Sequence, residues 1–258
     1  MQVNNGNLYW KNKSKINKIY PYLTHDIKAD VLVIGGGIAG ALTTYFLAKE
    51  GANVVTVEKN IIGFGNTIAD TAALEYQLES EMSKLEKSIG RKDATRIYKL
   101  CLDSISKIEN INKEFKAPTG FLRQDNIYFT NKFMQRGAVA KEFDKRKDSG
   151  FDAVYIDSHS LVNLNSGIVT KNASAIMNPY SFTQGLFEYL DTMDNVKIFE
   201  NTKIDDIKCR IDEVECKTHN NFKITSDKVI MASGIETLKY LENSPAELYK
   251  TFSIVSKP

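Results

Sequence analysis

The chain has 258 residues, of which 42% are hydrophobic and 26% charged, the proportions of a folded globular protein with length for one large domain or two intermingled ones. Its 34 basic and 32 acidic side chains leave a net charge of +2. That composition excludes disorder on the scale of the whole chain, and the charge balance excludes a strongly basic nucleic-acid surface.

Residues 1–28 read as an irregular lead-in, aromatic at Tyr9, Trp10, Tyr20 and Tyr22 and basic at Lys11, Lys13, Lys15 and Lys18. The lysines read as a solvated segment, and residues 1–20 contain no apolar stretch of a secretory signal. A first strand spans Asp30–Ile34, continuously apolar after its first residue, as in a strand buried on both faces. A helix follows from Ile38 to Glu50, stopped by Gly51, and a second strand from Asn53 to Glu58 completes a βαβ unit. Val31–Ala48 is a run of eighteen uncharged residues, long enough by a crude count to span a membrane. Four of them are glycines, and the run changes midway from a β-branched strand to a helical pattern, so no membrane span is read there.

A turn-rich loop at Gly63–Thr67 leads to a predicted helix from Asp70 or Thr71 to Gly90. A second helix covers about Lys92 to Lys116, with Ile97, Leu100, Cys101, Ile105 and Ile108 at threes and fours, before Pro118. Further on the pattern predicts a strand at Ile127–Phe129, a helix over Lys132–Ser149 closed by Gly150, and strands at Val154–Ile156 and Ala173–Met177. Asn178-Pro179 starts a helix to about Met193, with Asn as cap and Pro at the first helical position. Strands are then predicted at Val196–Phe199, Lys203–Cys209, Glu213–Thr218, Phe222–Ile224 and Lys228–Ala232. The last, apolar through Val229-Ile230-Met231-Ala232 and followed by Ser233-Gly234, reads as a buried parallel strand rejoining the N-terminal sheet.

The chemistry-bearing motif is Gly35-Gly36-Gly37-Ile38-Ala39-Gly40, a GxGxxG between the first strand and the first helix. In such a motif the first glycine permits the tight turn, the second lets backbone approach a pyrophosphate, and the third lets helix and strand pack closely. Glu58 ends the second strand 21 positions after Gly37, where an acid can hold a ribose hydroxyl. The motif alone leaves FAD and NAD open. An NAD domain of the doubly wound type would continue promptly with further βα units. Here a long helical and mixed segment intervenes before the next convincing sheet strand near Val229, which favours FAD. Cys101, Cys209 and Cys216, with His25, His159 and His219, form no metal spacing, and so few cysteines suit a reducing, cytoplasmic compartment.

With these residues in hand, the chain resembles the D-amino-acid oxidase and glycine oxidase superfamily of FAD-dependent oxidoreductases. The resemblance runs in order through Tyr9-Trp10 and Tyr20-Pro21, Val31 to Gly40, Glu58, Gly63 to Thr71, Thr202-Lys203-Ile204, and Lys228 to Gly234. It implies an α/β fold, a Rossmann-like FAD-binding domain with an inserted mixed α+β substrate domain. The implied division is a lead-in at 1–28, FAD-binding segments at 29–120 and 181–250, a substrate segment at 121–180 whose sheet faces the flavin, and the start of a return at 251–258. Position by position it implies that Gly35, Gly37, Ile38, Ala39 and Gly40 face the pyrophosphate and that Glu58 and Lys59 flank the adenosine ribose. Asn66, Thr67, Thr71, Ala72 and Ala73 match the segment that reaches the phosphates and flavin, Ile204 matches a residue whose backbone meets the adenine, and Gly234 matches the glycine where the late strand passes the cofactor. Asp70 and Glu75 depart from the small residues usual there.

The implied reaction is hydride transfer to FAD from a carbon beside nitrogen in a small amine, N-methyl or amino-acid-like substrate. Arg123, Tyr128 and Tyr180 are candidates for the substrate side, and no catalytic residue is assigned. The alternatives are a truncated, non-catalytic FAD-binding fragment and an NAD-dependent dehydrogenase. Thr251–Val255 reads as a strand with no closing helix after it, so the chain is expected to be shorter than a working member of that superfamily, binding FAD weakly and prone to associate.

Overall fold

The computed structural model describes residues 7–14, 18–157 and 164–241. In chain order its elements are α1 (Tyr9–Lys13), β1 (Ile27–Ile34), α2 (Ile38–Lys49), β2 (Val54–Val57), β3 (Ala73–Glu75), α3 (Met82–Ile89), α4 (Arg91–Glu114), β4 (Leu122–Thr130), α5 (Arg136–Asp148), β5 (Ala153–Ile156), β6 (Ser166–Ile176), α6 (Pro179–Leu190), β7 (Val196–Phe199), β8 (Ile204–Cys209), β9 (Val214–Thr218) and β10 (Lys223–Met231). Short 3-10 turns occupy Thr67–Ala69, Phe133–Gln135 and Gly234–Tyr240. His159 and the predicted strand at 251–255 lie outside the described residues. No described helix is long and apolar enough to cross a membrane.

The chain forms two compact units. The first draws on Met1–Thr71, Phe115–Thr119 and Asn178–Pro258, the second on Ala72–Glu114 and Gly120–Met177. In the first unit a six-stranded sheet has the order β7-β2-β1-β10-β9-β8. β1, β2, β7 and β10 run parallel, and β9 and β8 extend the sheet antiparallel. Leu32, Val55, Val57, Phe199, Ile204, Cys216 and Ile224 close one core over it, each large apolar side chain contributing about 1.5–3 kcal/mol on burial. The threonines of α2 and β2 fasten that helix to the sheet, Thr44 Oγ1 lying 2.7 Å from Thr56 Oγ1 and bonding the Gly40 carbonyl at 2.8 Å.

The late strand pairs parallel with β1, from Ile27 against Ile224 to Ile34 against Met231. The two strands read separately at 222–224 and 228–232 are therefore one. The polar run Thr225-Ser226-Asp227 does not break it, because Lys28 and Ala29 of β1 pair with Thr225 and Ser226 and the register resumes at Val31 against Lys228.

In the second unit β3, β6 and β4 form an antiparallel sheet, with β5 also on β6. Tyr76, Met82, Tyr98, Ile105, Phe151, Ala173 and Ala175 form its main core. Here the structure corrects the helix read from Asp70 or Thr71 to Gly90. Ala73-Leu74-Glu75 pairs with Ile176, Ala175 and Ser174 as β3, and α3 begins only at Met82. Ala and Leu are good helix formers, but the free edge of β6 and the burial of Tyr76 override that weak preference. The stop at Gly90 (φ 84°) stands as read. The short strands read at 127–129 and 173–177 are the ends of longer ones, β4 and β6, which pair from Leu122 against Ile176 to Thr130 against Ser166. The helix read over 132–149 starts as a 3-10 turn and becomes α-helical at Arg136. α1 replaces part of the irregular lead-in.

The unit boundaries differ from 29–120, 121–180 and 181–250. Residues 72–114 join the second unit, because Tyr98 and Ile105 of α4 pack in one core with Ala173 and Ala175 of β6. Asn178 and Tyr180 join the first, because the Asn178 side chain caps α6 through the Ser181 N–H at 3.0 Å.

Candidate cofactor site

The site is built where β1 ends and α2 begins. Gly35 has φ 121°, and a Cβ there would lie 2.4 Å from the Ala232 carbonyl oxygen, so only glycine turns the chain beside the end of β10. A Cβ at Gly40 would lie 1.9 Å from the Gly35 carbonyl oxygen, so its absence lets the first turn of α2 sit on the loop. A Cβ at Gly36 would meet the Glu58 Cβ and Ile62 Cγ1 at 2.9 Å. Gly37 differs, because a Cβ there would meet only Thr67 Oγ1, at 3.2 Å. The loop is thus packed on three sides and open beside Gly37, at the positive end of α2, with Ile38 half-buried and Ala39 exposed. A cradle that a side chain at Gly37 would fill, at a helix N-terminus, fits a diphosphate.

Glu58 works on the loop as well as beside it. Its Oε2 accepts the Gly36 N–H at 2.8 Å and its Oε1 the Asn60 N–H at 2.9 Å. A carboxylate oxygen has two lone pairs, so both can still accept a ribose hydroxyl. Lys59 is paired with Glu236 at 2.6 Å, and that ammonium holds the Glu236 carboxyl below the usual glutamate range. The Thr202 N–H donates to the Glu58 carbonyl at 2.9 Å and the Asn201 N–H to the Asn60 carbonyl at 2.9 Å, which places the start of β8 beside the end of β2. The Ile204 side chain is buried in the core, leaving backbone as what it can offer a ligand. Gly234 has φ 60°, and a Cβ on it would lie 3.9 Å from Asn66 Nδ2. Thr67 Oγ1 accepts the Ile38 N–H at 3.1 Å, capping the first turn of α2.

Gly35, Gly37, Ile38, Ala39, Gly40, Glu58, Lys59, Asn66, Thr67, Ile204 and Gly234 therefore share the first unit around this loop, and Thr71 closes that segment. Ala72 and Ala73 belong to the second unit, where the Met177 N–H donates to the Ala72 carbonyl and Ala73 pairs with Ile176.

The substrate-side candidates are divided between the two units. Tyr180 lies in the first unit, buried against Gly63, its hydroxyl pushed up to about 12 by burial. Arg123 clamps α4 to the second unit's sheet through Glu109 (2.8 Å), Ser106 (2.8 Å) and the Asn172 carbonyl (3.1 Å). The Tyr128 hydroxyl donates to Glu81 at 3.1 Å and is pushed up to about 12, first by burial and then by that carboxylate. Asp70 and Glu75 are exposed.

The sequence reading missed a charged centre in the second unit. Arg146 is 0% exposed and Glu142 1%. Arg146 donates to Glu142 (3.0 Å), the Tyr76 hydroxyl (2.9 Å) and Gln77 (3.0 Å), beneath the Tyr128 ring at 5.1 Å. Glu142 also accepts the Met82 and Ser83 N–H groups at 2.9 and 2.8 Å, which caps α3. The one sequence signal was the i, i+4 spacing of Glu142 and Arg146, which does not separate a surface pair from a buried one.

A family model described as FAD dependent oxidoreductase matches residues 30–258. YhfW of Bacillus subtilis, named for a Rieske 2Fe-2S iron-sulfur protein, is 26% identical over 226 residues, covering 87% of this chain and 44% of that protein. Gamma-glutamylputrescine oxidoreductase of Escherichia coli is 36% identical over 76 residues, 29% of this chain and 18% of that protein. Among solved structures, L-amino acid deaminase from Proteus myxofaciens in complex with anthranilate superposes with a TM-score of 0.68 at 18% identity, covering 87% of this chain and 50% of that one. At that identity the likeness is one of fold. The chain spans about half the length of the relatives it matches along most of its own length.

Proposed function

The chain belongs to the family of FAD-dependent oxidoreductases, and from that premise we propose that it acts on a small amine, N-methyl or amino-acid-like substrate. FAD, when bound, supplies the acceptor for the hydride that leaves the carbon beside the substrate nitrogen. The residues of this chain supply binding and orientation. The backbone at Gly37 and the first turn of α2 would receive the diphosphate, Glu58 holds Gly36 in place and would offer its remaining lone pairs to a ribose hydroxyl, and Asn66 and Gly234, which lie beside each other, would contribute to holding FAD. The second unit supplies the substrate side. Hydride departure needs no acid–base dyad, and no residue is assigned that role.

The observation that carries this reading is the cradle, in which three glycines are required by packing and the fourth is left open beside a helix N-terminus. The substrate class is supported by the names of two relatives, an L-amino acid deaminase and a gamma-glutamylputrescine oxidoreductase. An NAD-dependent dehydrogenase, which the motif by itself allowed, falls away with the family. The test is anaerobic mixing of FAD-loaded protein with amino acids, N-methyl amino acids and polyamines, followed by flavin absorbance. Bleaching by one of these classes is expected. A yellow protein that none of them bleaches would leave a FAD-binding module without this activity.

A further inference from the structure

We propose that Trp10 is a positioning residue of the cofactor site, acting through the turn Thr67–Ala69. The proposal rests on the reading of the Gly35–Gly40 loop as the diphosphate cradle. α1 has five residues and buries none of them, far fewer than a helix needs to persist by itself in water. It exists because it is docked. The indole N–H of Trp10 donates to the Asp70 carbonyl at 2.8 Å, across 60 positions of sequence. The Lys11 ammonium lies 5.7 Å from the Phe64 ring centroid, and the Tyr9 and Trp10 rings meet edge to face at 4.7 Å. At the end of the arm Ser14 Oγ lies 2.9 Å from Ser181 Oγ and accepts from Asn178 Nδ2 at 2.7 Å. The arm therefore straps the Phe64–Asp70 loop to the start of α6.

What the strap holds bears on the cradle. The Ala69 N–H donates to the Asn66 carbonyl at 3.0 Å and the Asp70 N–H to the Thr67 carbonyl at 3.4 Å, so Asp70 and Thr67 are parts of one turn. Thr67 is buried, its hydroxyl is the acceptor for the Ile38 N–H at 3.1 Å, and the same oxygen borders the open side of Gly37. If the Asp70 end moves, Thr67 moves, and both the helix cap and the wall of the cradle change. Trp10 acts at one remove, by fixing the turn that carries Thr67, whose hydroxyl borders Gly37.

Trp10 is the single tryptophan of the chain, so its emission reports on the arm alone. ADP, which has no flavin absorbance, is the probe. By reciprocity of coupled equilibria, if docking of the arm strengthens nucleotide binding, ADP must strengthen docking of the arm. Saturating ADP is expected to lower acrylamide quenching of Trp10 in the unmodified chain, and unchanged quenching would overturn the proposal. W10F keeps a ring and removes the donor. It should weaken ADP and FAD by about fivefold, the loss of one ordinary hydrogen bond. T67V should do the same and T67S should not. The W10F/T67V pair should bind little worse than T67V, since both act through one group. Losses that multiply would overturn the proposal, as would full affinity in W10F while G37V fails to bind. Full affinity in G37V would instead sink the cradle reading, and this proposal with it. The quenching experiment decides even if W10F does not fold.

Discussion

The start of α2 and the surroundings of Arg146 place polar groups in opposite ways. Around Gly35–Gly40 the polar groups are backbone N–H groups, two of them taken by Glu58 and Thr67, and glycine at position 37 keeps a side chain from standing in front of the backbone there. Around Arg146 the polar groups are side chains, Tyr76 and Glu142 buried with it and Gln77 half-buried, all of them hydrogen-bonded to the guanidinium. The first arrangement leaves backbone open beside Gly37, and the second partners side chains with one another. A change in the first should alter binding more than stability, because what is lost is space or a partner for something outside the chain. A change in the second should alter stability, because a buried group left without its partner keeps its full desolvation penalty.

The largest expected effect is therefore on the hub. Arg146→Ala leaves the Glu142 carboxylate buried without its cation and should lower unfolding free energy by about 3–5 kcal/mol, the range for breaking a buried ion pair. Urea unfolding measures it, and a loss under 1 kcal/mol would erase the contrast. Gly37→Val should abolish FAD binding in a titration while shifting the urea midpoint far less than Arg146→Ala, since the added carbon meets only Thr67 Oγ1. A G37V chain that unfolds instead would place Gly37 with the structural glycines. Glu58→Ala should weaken FAD by about 1–3 kcal/mol, the value of a hydrogen bond to a charged group, with part of the loss arriving through the freed Gly36 N–H.

The smallest effect is one of pH. Glu109 is held below the ordinary glutamate value by hydrogen bonds from Lys113 and then Arg123. A depressed folded value means the pair stabilises the chain above the unfolded value, near 4.3, and loses that contribution as pH falls through the folded value. Unfolding of Glu109→Gln should depend less on pH below about 4 than unfolding of the parent chain. Parallel curves would show the Arg123 clamp to be indifferent to the charge of Glu109.

The contrast between the two regions is also a contrast in legibility. The glycine loop, Glu58 and the return of the late strand to β1 could be read from residues 30–58 and 228–234, because each rests on a local property. These are glycine's freedom from a Cβ, a β-branched run, and an acid at a set distance. The same holds for the Asn178-Pro179 start of α6, where cap and fixed φ act within one turn. The hub could not be read, since Arg146 and Glu142 sit in a stretch, Arg136–Asp148, with the charged composition of a surface helix. Their burial depends on Tyr76 after β3, Tyr98 of α4 and Tyr128 of β4, which arrive from elsewhere in the chain.

The sequence by itself determined where the glycine turn between β1 and α2 falls and which late strand rejoins the sheet, because freedom from a Cβ and a β-branched run are properties of the residues themselves. Only the tertiary structure decided that Ala73–Glu75 is a strand, that 223–231 is one strand and not two, and that the Trp10 arm ties down the Asp70 end of the loop. In each case a weak local preference was overruled by a partner 60 or more positions away, β6 for β3, Trp10 for Asp70 and β1 for β10. The energy that settles such choices lies in pairs of segments, and a single segment does not contain it.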